Sequence, residues 1–278
     1  MKFASYELDG RASWGAVVGD TVVPLATPAL PTLKDAIAAE ALPQSEAGLA
    51  LQAGVPLAAV TWLPVIPEPG KIFCIGVNYE EHRVEMKRER VGHPTVFMRV
   101  ADSQIGHGQP MLRPPESEQL DYEGEIAIVI GRGGRRIAEA DAWTHIAGYA
   151  PYNDGSVRAW QRHTTQWTPG KNFSGTGGFG PWMVTRGEIA DGEVLTLQTR
   201  LNGKVMQHAT TDMLLFDIPS QIAYISSFTT LRPGDVIVTG TPGGVGARHE
   251  PPIWMKPGDR IEVEVSKVGT LVNLVAQE

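Results

Sequence analysis

From Lys71 onwards, short apolar runs alternate with glycine- and proline-rich turns: KIFCIGV, EIAIVIG, WMVT, VLTLQTRLNG, DVIVTG and RIEVEV. This rhythm predicts many short strands. In one of them, Ile126 to Ile130, every position is apolar, the pattern of a strand covered on both faces. Asn202-Gly203 between two such runs predicts a hairpin with a type I′ turn. Helical patterns are rarer and fall at about 79–90, 138–143, 154–162 and 217–227. Before Lys71 the pattern differs. Residues 13–24 read as two short strands around Gly19-Asp20, and residues 33–51 have helical composition broken at Pro43. Residues 63–70 hold three prolines in eight positions, which excludes a helix and reads as a linker. The expected organisation is a small N-terminal domain, 1–68, and a larger domain, 69–278. The fold class is mainly β with some α (α+β), a sandwich or distorted barrel.

Composition narrows the function classes. Hydrophobic residues make up 42 % and charged residues 20 % of the 278, ordinary for a globular chain that buries its own core. Net charge is −7, and the densest basic stretch is Lys87-Arg88-Glu89-Arg90, which disfavours a nucleic-acid partner. No apolar stretch approaches the ~20 residues of a membrane helix, and MKFASYELDG has no apolar signal run. The single cysteine, Cys74, lies in an apolar run and reads as an inert buried thiol. A reducing, cytoplasmic location is expected.

Chemistry enters with Leu120–Gly131, LDYEGEIAIVIG. On a strand, Asp121, Glu123 and Glu125 share one face with Ala127 and Val129. Two carboxylates side by side at a buried strand repel each other and call for a cation between them, for which a hard divalent ion is suited. The competing reading is a pair of solvated glutamates, the commoner fate of Glu. Next, Asn153 or Asp154 reads as a helix cap, which places Asp154, Arg158 and Gln161 on one helical face. That face offers a third ligand beside groups for an anionic substrate, or an ordinary surface ion pair. In the 79–90 segment, Asn78 and Glu81 have capping-box spacing, and His82 and Glu85 are one helical turn apart. A carboxylate orienting an imidazole makes a general base; a solvated helix is the bland alternative. The segment is charge-dense with little apolar stripe, as in a mobile lid. Lys171, among turn residues, suits an oxyanion. The loop at Thr239–Gly246 offers backbone N–H groups and the Thr241 hydroxyl to a carboxylate. No zinc motif, Walker loop or serine-nucleophile elbow occurs.

In order along the chain stand Gly76, Asn78, Tyr79 and His82, then Asp121-Tyr122-Glu123-Gly124-Glu125, Asn153-Asp154 with Arg158 and Gln161, Gly170-Lys171, and Thr239-Gly240-Thr241-Pro242. Together they resemble the fumarylacetoacetate hydrolase family, from about Lys71 to the C-terminus. The resemblance implies a mixed, roll- or barrel-like β domain, usually dimeric, that takes a small 2-oxo acid. It implies Mg²⁺ or Mn²⁺ on Glu123, Glu125 and Asp154, with Ca²⁺ as a substitute in vitro. It further implies His82 and Glu85 as the water-activating pair, Lys171 as the oxyanion donor, and Tyr79, Arg158, Gln161 and Thr241 beside the substrate. Two departures stand out. Arg99 occupies a segment where members often carry lysine, and the stretch after Lys171 is more glycine-rich than in many members.

The expected activity is metal-dependent hydrolysis of a C–C bond in a 2,4-dioxo acid such as an acylpyruvate, giving pyruvate and a carboxylic acid. Oxaloacetate-type decarboxylation and keto–enol isomerisation of a 2-hydroxydienoate are alternatives on the same site, since both need only an enolate. A non-catalytic binding module with a structural Ca²⁺ site is the alternative of another class.

Overall fold

The all-apolar run sits at the centre of the molecule. The computed structural model describes residues 1–278, and in it the strand Gly124–Ile130 is buried at every residue. It pairs antiparallel with Ile146–Asp154 on one side and Val236–Val238 on the other. Its twofold alternation divides it between two cores. Ile126, Ile128 and Ile130 join Tyr149, Leu197 and Ile237 in one cluster. Ala127 and Val129 join Phe3, Ile72 and Tyr152 in another. Each fully buried aliphatic side chain contributes about 1.5–3 kcal/mol.

The central strand belongs to a thirteen-stranded mixed sheet. Along its main path the order is Val55–Pro56, Thr21–Pro24, Arg11–Val18, Lys2–Leu8, Met183–Thr185, Ile146–Asp154, Gly124–Ile130, Val236–Val238, Ile72–Gly76 and Thr95–Arg99. A second, five-stranded sheet runs Lys204–Thr210, Thr196–Leu201, Arg260–Val265, Gly269–Gln277 and Met111–Arg113. Leu197, Val263 and Leu271 of the second sheet pack on the isoleucines of the first. The fold is mainly β with some α, and both sheets are open. The proline-rich 63–70 segment marks a change of sequence pattern, yet the large sheet runs across it. Lys2–Leu8 hydrogen-bonds to Met183–Thr185, and Val65 and Ile66 lie in the core cluster that also holds Phe3 and Ile72. No helix is long and apolar enough to cross a membrane.

Local signals that need only a few residues match the structure. Asn202 and Gly203 both have positive φ, 52° and 80°, between paired strands Thr196–Leu201 and Lys204–Thr210. The helix Ile218–Phe228 starts on an Asp217 cap. The helix expected over 33–51 is only Leu33–Ala38, opened by a Thr32/Asp35 capping box, and 139–145 is a 3₁₀ stretch.

Two helix expectations are corrected where the site is built. Asp154 is not a helix cap. It ends the strand Ile146–Asp154, where it pairs with Gly177 and its N–H donates to the Glu123 carbonyl. The helix that follows is only Arg158–Gln161. Sheet pairing on both sides overrides the local capping signal. The 79–90 helix is likewise only Glu80–Glu85, with Tyr79 at the cap position and no side-chain cap. Asn78 does not close a capping box with Glu81. Its amide donates to the Thr239 and Phe216 carbonyls and its oxygen accepts the Phe216 N–H.

Candidate metal centre and active site

The site forms where the central strand frays. Past Gly124 the pleat gives way to Tyr122 and Glu123, so Glu123 and Glu125 are separated by the end of regular pairing. Glu125 stays on the strand opposite Tyr152, and Asn153 opposes Gly124 one step later, with Asp154 next. The carboxylate oxygens of Glu123, Glu125 and Asp154 come within 4.8 Å of one another, and all three residues are buried. This is the convergence that the sequence motifs imply.

Cations surround two of the three. Arg158 Nη2 lies 2.6 Å from Glu123 Oε1, and Arg99 Nη1 lies 2.6 Å from Asp154 Oδ1. The facing oxygens, Glu123 Oε2 and Asp154 Oδ2, share the Lys171 ammonium at 2.6 Å each. Glu125 forms no ion pair; its Oε2 accepts the Gly240 N–H at 2.5 Å. Gly240 has φ +105°, and a Cβ there would fall 2.6 Å from Asn78 Cβ, so only glycine lets this N–H reach the carboxylate.

The electrostatics follow the partners. Burial pushes the Glu123 carboxyl up, but the Arg158 guanidinium and the Lys171 ammonium outweigh it and hold it at about 2. Burial raises Glu125, and the charges of Asp154 and Glu123 raise it further. Burial opposes the Lys171 charge, but Asp154 and Glu123 outweigh it and keep it protonated. Four buried carboxylates, counting Asp121, stand against three buried cations, Arg99, Arg158 and Lys171. With all four ionised one negative charge would be left over, and Glu125, the carboxylate with no cation of its own, is the one whose carboxyl is raised. A hard divalent cation fits this all-oxygen donor set and answers that charge.

His82 and Glu85 also meet. His82 Nδ1 lies 3.1 Å from Glu85 Oε2, and Glu85 Oε1 accepts the Gly244 N–H at 3.1 Å. His82, Glu123, Glu125, Arg158, Gln161 and Lys171 line one cavity of about 510 Å³, within the usual range for small-molecule sites.

Residues 71–276 match the family model described as fumarylacetoacetate (FAA) hydrolase C-terminal. The chain belongs to the fumarylacetoacetate hydrolase family. A mitochondrial oxaloacetate tautomerase of Rattus norvegicus is 37 % identical over 265 residues, 93 % of this chain and 85 % of that protein. Among solved structures, the fumarylacetoacetate hydrolase of Exiguobacterium antarcticum is 33 % identical with a TM-score of 0.89, covering all of both chains. A maleylpyruvate hydrolase of Sphingobium sp., in complex with manganese(II) ion and pyruvate, is 30 % identical with a TM-score of 0.82, covering 100 % of this chain and 99 % of that one. The family's enzymes thus include hydrolases and tautomerases, and one of these neighbours holds a divalent metal.

Within this family member, several residues stand differently from expectation. Lys171 was read as a donor for an oxyanion; its ammonium is engaged by Glu123 and Asp154 instead. The Thr241 hydroxyl lines the cavity but already donates to the Gly124 carbonyl and accepts from Gln207 Nε2. Tyr79 is buried with its hydroxyl unpartnered and is not part of the cavity wall. Gln161 faces the cavity and accepts from Arg158 Nη1 at 2.9 Å.

Two residues that the sequence reading names without a role hold the charges of the cluster in place. Arg99 reaches Asp154, the Gly155 carbonyl and Thr176. Its room comes from Gly177, where a Cβ would fall 2.9 Å from Arg99 Nη2. The glycine-rich run and Arg99, noted as separate departures from the family, are therefore one packing solution. Asp121 does not join the carboxylate cluster. It accepts from Arg158 Nε and from the N–H groups of Gly246 and Ala247, so it orients the arginine that holds Glu123. Its place in the DYEGE motif was the only signal available.

Proposed function

We propose that this chain is a divalent-metal-dependent enzyme that moves a proton on a small 2-oxo acid, a keto–enol tautomerase. The observation that carries this reading is the cavity in which one oriented histidine, His82, faces the same space as Glu123 and Glu125, two of the three clustered carboxylates. Mg²⁺ or Mn²⁺ on those carboxylates would supply positive charge toward which the electrons of a 2-oxo acid shift. With Nδ1–H donating to Glu85, His82 Nε2 carries the lone pair. It takes the proton from the carbon next to the 2-oxo group as the C=O electrons move onto oxygen and a C=C bond forms, and delivers that proton to the 2-oxo oxygen, the reverse path giving the keto form, so base and acid are the same atom. Glu85 fixes the imidazole and stabilises its charged form. Arg158 and Lys171 hold Glu123 ionised for the metal. The likeness to the Rattus norvegicus oxaloacetate tautomerase supports this chemistry.

Hydrolysis of a C–C bond in an acylpyruvate is the second reading, favoured by the likeness to the maleylpyruvate hydrolase. It asks the same His82 to take its proton from water and asks a further donor to meet the oxyanion. Tautomerisation needs no such further donor, which, with the likeness to the oxaloacetate tautomerase over 93 % of this chain, ranks it first. The test is to load the protein with Mn²⁺ or Mg²⁺ and follow ketonisation of enol-oxaloacetate by absorbance beside cleavage of an acylpyruvate. Faster ketonisation without cleavage is expected. Cleavage alone would select the second reading, and neither reaction would remove both.

A further inference from the structure

A second cavity, of about 650 Å³, adjoins the catalytic one of about 510 Å³. Val77, Lys87, Arg88 and Trp167 line both, so they form the shared wall. Lys87 and Arg88 are exposed, while the Trp167 indole is half-buried. Two paired strands brace that indole. Gly76, at the end of Ile72–Gly76, pairs with Thr95 of Thr95–Arg99. A Cβ at Gly76 would fall 2.3 Å from Trp167 Cζ3, so the ring lies where only glycine leaves room. Phe97 meets the indole edge-on, with ring centroids 5.4 Å apart, a favoured aromatic arrangement. Phe97 in turn packs on the core cluster that holds Ile72 and Cys74. Val77 is held at φ +56°, which β-branched residues rarely adopt. Such a backbone persists only where its surroundings over-determine it, so this part of the wall is fixed as well.

The two sides of the wall offer an apolar chain different things. In the second cavity Val91, Leu215 and Phe216 join Val77 and Trp167 as apolar lining. In the catalytic cavity Lys87, Arg88, Arg162 and Arg248 are exposed cations, which are costly to strip of water. An apolar substituent on a bound acid therefore leaves water only towards the second cavity, and Trp167 stands across that path.

We propose that Trp167 is a specificity-determining residue: its indole partitions the two cavities and excludes 2-oxo acids that carry a long apolar chain. The inference rests on the 2-oxo acid reading of the site. With the ring removed the cavities join, and a longer chain passes into the apolar space beyond.

The test separates binding from turnover. Straight-chain 2-oxo acids from pyruvate to 2-oxooctanoate share one polar end and differ only in apolar length. Calorimetric titration of the Mn²⁺-loaded, unaltered protein should find affinity flat to within about threefold along the series, or falling. In Trp167→Ala, 2-oxooctanoate should bind at least about tenfold more tightly than pyruvate, since each buried methylene is worth up to about fourfold. Trp167→Leu, a milder truncation, should gain less in the same direction, and Trp167→Phe, which keeps a ring beside Phe97, should stay near the parental pattern. Thermal midpoints of the variants check that they fold, and the leucine variant carries the comparison if the alanine variant does not. Affinity that already rises with length in the unaltered protein, or a flat series in the folded truncations, would overturn the partition. No binding of any member would remove the partition together with the 2-oxo acid reading. Length-dependent binding that appears on truncation, in a protein that does not speed ketonisation, keeps the partition and removes the tautomerase reading instead.

Discussion

Glu85 bridges the His82 helix and the glycine loop: one carboxylate oxygen lies 3.1 Å from His82 Nδ1, and the other accepts the Gly244 N–H at 3.1 Å. The imidazole is therefore fixed against the glycine loop that follows Thr241, not only along its own short helix.

On the proposed reading His82 is the general base and Glu85 its orienting group. His82→Ala should lower kcat by about 10²–10⁴-fold, the usual contribution of a positioned base. Glu85→Gln keeps the shape but removes the charge that stabilises the imidazolium, and should cost less, roughly tenfold. Mn²⁺ affinity should stay within about twofold in both, since neither residue is among the three clustered carboxylates. Steady-state kinetics beside metal titration checks this, and an undiminished kcat in His82→Ala would remove the histidine from the chemistry.

Glu125 should reveal the metal through stability. Its folded carboxyl titrates above the ordinary value of 4.5 because of burial, then Asp154 and Glu123. The folded state therefore holds a proton that the unfolded chain has released. Stability tied to Glu125 is full below the unfolded value and is lost as pH rises through the raised one. In EDTA, the melting temperature of the unaltered protein minus that of Glu125→Gln should fall as pH increases from about 4.5 towards 8. Added Mn²⁺ at a hundredfold excess over Kd should stabilise the unaltered protein by about 2.7 kcal/mol and the variant far less. Equal Mn²⁺ stabilisation of both proteins would place the metal elsewhere.

What the sequence made legible follows from the range of each signal. The all-apolar Ile126–Ile130 run, the Asn202-Gly203 turn and the Asp217 cap depend on a few adjacent residues, and each reads correctly. The three carboxylates were found by a motif, and the fold brings them within 4.8 Å. Misreadings arise where distant pairing wins. Asp154 has the local signature of a cap but is held in a strand by Glu123 and Gly177. Asn78 has capping spacing but spends its amide on Thr239 and Phe216, far along the chain. Arg99 could not be placed on Asp154, because no pattern links residue 99 to a strand ending at 154. Lys171 and Thr241 line the cavity, but their partners lie in other elements and are invisible in the sequence.

Asn78 should behave as a buried strut. It is fully buried and ties the entry of the His82 helix to the Thr239 and Phe216 backbones through three hydrogen bonds. Asn78→Ala removes the partner of the Thr239 carbonyl and of the Phe216 N–H at about 1–3 kcal/mol each, while the Phe216 carbonyl keeps Gln221 Nε2. Denaturant unfolding should show a loss of at least about 2 kcal/mol with an unchanged m-value. Because the strut also sits beside Gly240, whose N–H reaches Glu125, Mn²⁺ affinity should fall as well. A variant as stable as the parent would mean that water satisfies these groups.

Gly170 sets the distance between the two short helices that deliver Arg158, Gln161 and Lys171. A Cβ at Gly170 would fall 2.3 Å from the Gln161 backbone nitrogen and 2.5 Å from its Cα, and neither belongs to a flexible side-chain tip. Gly170→Ala must therefore push Arg158–Gln161 away from Thr168–Lys171. Overpacking of this kind costs about 1–3 kcal/mol. The displacement acts on Lys171 and Arg158, the two cations that keep Glu123 ionised, so metal affinity should fall alongside stability. Ile128→Ala supplies the contrast. It empties space in the main core at about 2–5 kcal/mol, yet Ile128 touches no charged member of the site, so Mn²⁺ affinity of its folded fraction should hold. If Gly170→Ala lost stability but bound Mn²⁺ like the parent, the helix spacing would not govern the carboxylate cluster.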